Sequence, residues 1–81
     1  MNIEEKLNSI RSHLLEQSDN KEIEISDELD LIESGILDSL KTMILVVFIE
    51  KIRNKPIPIE QMSMDRLKTI NLIKENFLIA A

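Results

Sequence analysis

Ile3, Leu7, Ile10 and Leu14 follow one another at steps of four, three and four residues, the spacing of one helical face. The pattern predicts a first helix over Asn2 to Glu16, stopped by the turn residues Ser18, Asp19 and Asn20. Between Lys21 and Asp38 the pattern changes. Ile23 and Ile25 alternate with charged residues as a strand would, but a strand without a partner is not stable. The segment is therefore read as a long loop, pinned by Leu29, Leu31, Ile32, Ile36 and Leu37 inserting into a core. Gly35, the single glycine of the chain, stands just before the next periodic segment and points to a backbone conformation that other residues resist.

A second helix is expected to begin at Asp38 or Ser39, both good N-cap types, and to run to about Asn54. Pro56 and Pro58 end it and impose an extended link. Ser63 marks another turn, a short helical turn follows over Met64 to Leu67, and Thr69 caps a last helix with Ile70, Ile73 and Phe77 on one face. The expected fold is all-α, a four-helix bundle with three main helices, one short helix and a long first loop, in a single domain over residues 1–81.

At 100° per residue, Thr42, Leu45, Ile49 and Ile52 form the core stripe of the second helix, with Val46 and Phe48 at its edges. The opposite side carries Ser39, Leu40, Met43, Ile44, Val47, Glu50 and Lys51. Four of these are apolar although the face turns away from the core. A domain this small cannot surround one of its helices, so this face is expected to meet a partner, with Leu40, Lys41, Met43, Ile44, Val47 and Lys51 as contact residues.

Composition narrows the chemistry. Phe48 and Phe77 are the only aromatics, so the core is aliphatic. The chain has no cysteine, which removes disulfides, thiolate metal sites and a catalytic thiol together and fits a cytoplasmic setting. No secretory signal is read in residues 1–16, and the apolar run Met43 to Ile49 is too short for direct membrane insertion. The net charge of −5 is unevenly spread: Glu16 to Asp38 holds nine carboxylates and one base, whereas residues 40–81 hold four carboxylates and seven bases. There is no broad basic face with stacking aromatics, so nucleic acid is not an expected partner. The acidic loop lacks the ligand alternation of a calcium site, since Gly35 comes too late. It is read as a solvated loop, and no metal is expected. Met62 and Met64 are read as core filler.

Ser39 has two readings. It can be a helix cap, or it can be a chemically used hydroxyl. A nucleophilic serine needs an adjacent base, and the one histidine, His13, falls on the first helix, where it is read as a solvated surface residue. No Ser-His-Asp arrangement can be assembled, so the chain is not expected to be an enzyme. Residues 29–40, LDLIESGILDSL, nevertheless form a recognisable unit: an acidic-apolar loop, a glycine, two apolar residues and Asp-Ser-Leu opening a helix. Through Leu31, Gly35, Leu37, Asp38, Ser39 and Leu40 it resembles the attachment motif of acyl and peptidyl carrier proteins. The resemblance extends along the chain in length, helix order, the Pro-containing link and the Thr before the last helix.

The resemblance implies an acyl-carrier-protein-like bundle whose Ser39 takes a phosphopantetheine arm, with Gly35, Asp38 and Leu40 as motif context. It also implies an acyl or aminoacyl cargo carried as a thioester. The partners it implies are a phosphopantetheinyl transferase, an adenylating ligase and a downstream acyltransferase or synthase, all served by a monomeric carrier. Lys41, Lys51, Arg53 and Lys55 against Glu50 make the second helix more basic and apolar than in fatty-acid carriers. Discrete D-alanyl-type and nonribosomal-peptide-type carriers are the closer resemblance. The competing reading is a small helical adaptor that binds a partner through the second helix with no prosthetic group.

Overall fold

The computed structural model describes residues 2–19 and 21–79, so Asn20 of the first expected turn lies outside the described residues. The described residues are helical, without strands. Helix α1 spans Ile3–Gln17 and α2 spans Ser39–Arg53. A single 3-10 turn at Ile59–Gln61 follows the proline link, then come a short α3 at Met64–Leu67 and α4 at Ile70–Ile73, which runs on as a π-type helix over Lys74–Ile79. The expected bundle of three main helices, one short helix and a long first loop is what the chain forms. The 3-10 turn was not expected.

Helices α1 and α4 begin at side-chain caps. The Asn2 side chain accepts from the Glu5 amide at 2.8 Å, and Glu4 and Glu5 sit in the first turn of α1, where the helix dipole favours anions. Thr69 accepts from the Leu72 amide at 3.1 Å and starts α4. Helix α2 ends at Asn54, which takes the left-handed conformation at φ 54°. Its C-terminal corner is tied by two side chains. Glu50 accepts from the Ile57 amide at 2.7 Å. Arg53 donates to the Pro56 and Phe77 carbonyls at 3.0 and 3.1 Å, which joins the proline link to the last helix. Glu50 is thus half-buried and engaged, although the helical wheel put it on the outward face.

The core is one aliphatic cluster where α1, α2 and the last helix meet: Leu7, Ile10 and Leu14 from α1, Leu45, Val46 and Ile49 from α2, and Ile70, Ile73 and Phe77 from the last helix. In α2 the buried set is Thr42, Leu45, Val46 and Ile49, an i, i+3, i+4, i+7 set. Val46 therefore belongs to the stripe and not to its edge, while Ile52, expected in the stripe, is half-buried at the exposed end of the helix. Met62 packs against the core, but Met64 is exposed, because Leu67 is the only residue of α3 that reaches the interior.

The long loop is anchored as expected by Leu31, Ile36 and Leu37, all buried, with Leu29 and Ile32 packed against the same cluster. The acidic residues do more than solvate it. Asp30 accepts from the Ile32 and Glu33 amides at 3.0 and 2.9 Å, forming a turn, and faces Lys68 at 3.6 Å. The Glu33 amide, first among these contacts, holds the Asp30 carboxyl below its ordinary range. Asp27 pairs with Arg11 of α1. Two carboxylates of a loop read as simply solvated therefore fasten it to helices on either side. The Leu31 amide donates to the Lys68 carbonyl at 2.7 Å, which fixes the loop against the end of α3.

Candidate functional site

The approach to α2 is a built turn. Beyond the Asp30 turn, the Gly35 amide donates to the Ile32 carbonyl at 3.0 Å and the Leu37 amide to the Leu31 carbonyl at 2.8 Å, closing a loop around Gly35. Gly35 has φ 83°, in the left-handed region. A Cβ placed there would meet nothing within 4 Å, so backbone conformation and not space calls for glycine. Ile36 and Leu37 then dive into the core, and the chain emerges at Asp38 ready to start a helix.

Asp38 is the N-cap. Its carboxylate accepts from the Lys41 amide at 2.8 Å, and its carbonyl accepts from the Thr42 amide at 2.9 Å and the Thr42 hydroxyl at 2.6 Å. The capping role open to Ser39 is therefore filled by its neighbour. Ser39 is the first residue of α2, exposed, and among the described residues nothing hydrogen-bonds its hydroxyl. The first-turn amides of a helix lack intrahelical partners, and their end carries the positive pole of the dipole. An anionic group on Ser39 would sit in that field.

From Ser39 an apolar strip runs down α2. Leu40, Met43, Ile44 and Val47 are 70%, 54%, 39% and 48% exposed, and Lys51 is exposed at its lower end. Lys41 is half-buried beside the cap. The structure thus brings Ser39, Leu40, Met43, Ile44, Val47 and Lys51 onto one open face, with Gly35 and Asp38 serving as backbone and cap.

His13 does not stand in water as expected. Its ring stacks on Phe48 with centroids 4.3 Å apart and planes 15° from parallel. With Met43, Ile44, Val47 and Lys51 the pair lines an open apolar groove of about 440 Å³ between α1 and α2. Burial pushes the imidazole below its ordinary value, opposed by the nearby Glu16 carboxylate. His13 Nε2 is buried with no hydrogen-bond partner. The sequence held a signal for this: His13 lies three residues after Ile10, at the edge of the buried face of α1, and Phe48 flanks the stripe of α2. Among the described residues no group of carboxylates and histidine could hold a metal ion, and no helix is long and apolar enough to cross a membrane.

No protein-family model, curated protein or solved structure matches the chain.

Proposed function

We propose that this chain is an acyl or aminoacyl carrier protein whose Ser39 is the attachment point of a phosphopantetheine arm. The observation that carries the reading is the division of labour at the start of α2. Asp38 caps the helix and leaves the Ser39 hydroxyl exposed and unengaged. A serine at the N-cap would commit its oxygen to a first-turn amide, whereas Ser39, one residue inside the helix, keeps its oxygen exposed. The turn around Gly35 and the buried Ile36 and Leu37 hold that hydroxyl on a rigid helix end, so every partner meets it in the same orientation.

The residues present fit the group. Ser39 Oγ is free to form a phosphodiester, and the helix terminus favours the phosphate. In the attachment step the Ser39 Oγ–phosphorus bond forms while the pyrophosphate bond of coenzyme A breaks. The adenosine bisphosphate leaves, and the hydroxyl proton passes to a base of the transferase. The chain supplies no base of its own, since its one histidine is stacked on Phe48 in the groove. The arm, once attached, supplies a thiol that carries cargo as a thioester. An adenylating ligase would load the thiol from an acyl adenylate with release of AMP, and the carrier would present the cargo to a downstream acyltransferase or synthase, in a cytoplasmic setting where the thiol stays reduced.

The exposed strip Leu40, Met43, Ile44 and Val47 supports docking of these partners and equally favours the adaptor reading. Intact mass separates the two. Incubation with coenzyme A and a broad-specificity transferase is expected to add one phosphopantetheine unit to the wild-type chain and none to Ser39→Ala. An unmodified wild-type chain would overturn the carrier reading in favour of the adaptor.

A further inference from the structure

We propose that the open face of α2 seats an amphipathic helix of a partner protein, apolar along its contact face and bordered by carboxylates. The inference rests on the reading of this strip as a docking face and does not depend on modification of Ser39. The first support is spacing. Leu40, Met43, Ile44 and Val47 stand at i, i+3, i+4 and i+7, and all four are exposed. The buried stripe Thr42, Leu45, Val46 and Ile49 repeats that spacing two residues further on. Helix α2 therefore carries two stripes of one kind, roughly 200° apart around its axis. Helix α1 and the last helix close the second, and the first lies open. Side chains at this spacing form the ridges that pack against another helix.

The second support is shape. Met43, Ile44 and Val47 join Phe48 and, from α1, His13 in walling the groove of about 440 Å³. A concave apolar surface beside an open stripe suits the anchoring side chains of a docked helix. Met43, unbranched and adaptable, can shape itself to them.

The third support is charge, which selects the border of the incoming helix. The carboxylates at the two ends of α2 are committed to backbone amides, Asp38 to that of Lys41 and Glu50 to that of Ile57. Glu16 of α1 stands beyond His13 and Phe48, outside the groove lining. Lys51 and Lys55 are exposed beside Val47 at the lower end of the strip, and among the described residues no carboxylate pairs with either. The uncommitted charges here are positive, so they attract carboxylates on a partner and repel lysines. A second copy of the chain fits poorly, because its own open stripe carries the same lysines. An anionic membrane fits poorly as well, because the chain has a net charge of −5.

The test uses the full chain without an arm and two synthetic amphipathic helical peptides that share one leucine face. One peptide is flanked by glutamates and the other by lysines. Binding is read from methyl and amide chemical shifts on titration. The glutamate peptide is expected to bind about tenfold more tightly, the effect of turning two exposed charge pairs from repulsive to attractive. The shifts should fall on Leu40, Met43, Ile44 and Val47, and the gap should close towards about 1 M salt. Lys51→Glu combined with Lys55→Glu is expected to reverse the preference. Val47→Glu is expected to weaken both peptides while the urea midpoint stays unchanged. Equal affinities, or no shift with either peptide at about 1 mM, would overturn the inference. Self-association of the free chain through this strip would overturn it in favour of a second copy. Binding of phosphatidylserine vesicles in place of the glutamate peptide would overturn it in favour of a membrane. Intact mass judges attachment separately. A chain that takes the arm without telling the peptides apart overturns this inference alone, and a chain that tells them apart without gaining mass overturns only the attachment reading.

Discussion

Asp38 and Ser39 are adjacent, both are good caps by residue type, and only one of them caps α2. Truncating each in turn therefore separates a structural role from a chemical one. The Asp38 carboxylate accepts from the Lys41 amide at 2.8 Å and stands at the positive pole of the helix. Asp38→Ala removes that bond, and by the usual cost of a lost N-cap it should destabilise the protein by about 1 kcal/mol, within a range of about 0.5–2. The carbonyl of residue 38 would still accept from Thr42, so the helix start shifts little and the loss does not grow beyond the cap. In a domain of this size each kcal/mol moves the melting temperature by about 4–8 °C. Ser39→Ala removes an exposed hydroxyl that bonds to nothing, and its effect should stay within about 0.5 kcal/mol.

The assay is urea unfolding followed by circular dichroism, with intact mass after coenzyme A and transferase treatment measured on the same samples. Ser39→Ala should unfold at the wild-type midpoint and gain no mass. Asp38→Ala should unfold at a lower midpoint. The reasoning fails if the order of stabilities is inverted, because Ser39 would then be the cap and its oxygen would be committed to the helix. It also fails if Ser39→Ala still gains the unit, because another serine would then be the attachment point.

Four further outcomes are expected. Leu45→Ala and Ile49→Ala, at completely buried sites of α2, should each cost about 2–5 kcal/mol in urea unfolding, and near-neutral values at both would place the core on another face. Gly35→Ala should cost about 1–2 kcal/mol although a methyl group meets no neighbour, because φ 83° is strained for an L-residue; a neutral result would mean that the turn relaxes freely. Burial lowers the His13 value in the folded chain, so the stability from its neutral ring is full above the unfolded value of 6.5 and is lost as pH falls through the folded value. The urea midpoint of the wild-type chain should therefore drop more than that of His13→Phe between about pH 7 and about pH 5.5, and parallel profiles would count against a buried neutral ring. Ile44→Glu should leave the midpoint nearly unchanged at its 39% exposed site, yet slow cargo loading by a cognate ligase at low carrier concentration by forcing a charge into an apolar contact; unchanged loading would remove this face of α2 from docking.

Periodicity and punctuation made most of the fold legible. The spacing of Leu7, Ile10 and Leu14 marks the face of α1, and Thr69, Pro56 and Pro58 mark boundaries that the structure keeps. These signals are local, and local chemistry decides them. What stayed hidden depends on which elements cross. The exchange of Val46 and Ile52 across the edge of the stripe follows from how α1 and the last helix cover α2, which no spacing within α2 encodes. The Asp27–Arg11 and Asp30–Lys68 pairs join residues far apart in sequence, so the acidic run read as uniform solvated charge. The 3-10 turn at Ile59–Gln61 has no periodic signature at its length.

At the candidate site the legible and the hidden parts have different weight for function. Asp-Ser-Leu preceded by a glycine could be read from the chain, but the sequence left open whether Ser39 serves the helix or stands free, since Asp38 and Ser39 are both competent caps. The hydrogen bond from the Lys41 amide to Asp38 settles that local question. An exposed apolar strip by itself is compatible with any binding protein. A strip that begins at an unengaged hydroxyl on a helix terminus offers in addition a point of attachment beside the docking face. An adaptor would need the strip but would have no use for the spared hydroxyl. The carrier reading uses the hydroxyl and the strip together, and it places different demands on each: modification requires Ser39, and docking requires Ile44. Separable losses at these two positions would support it, whereas a common loss at both would mean that one folding defect had been mistaken for two functions.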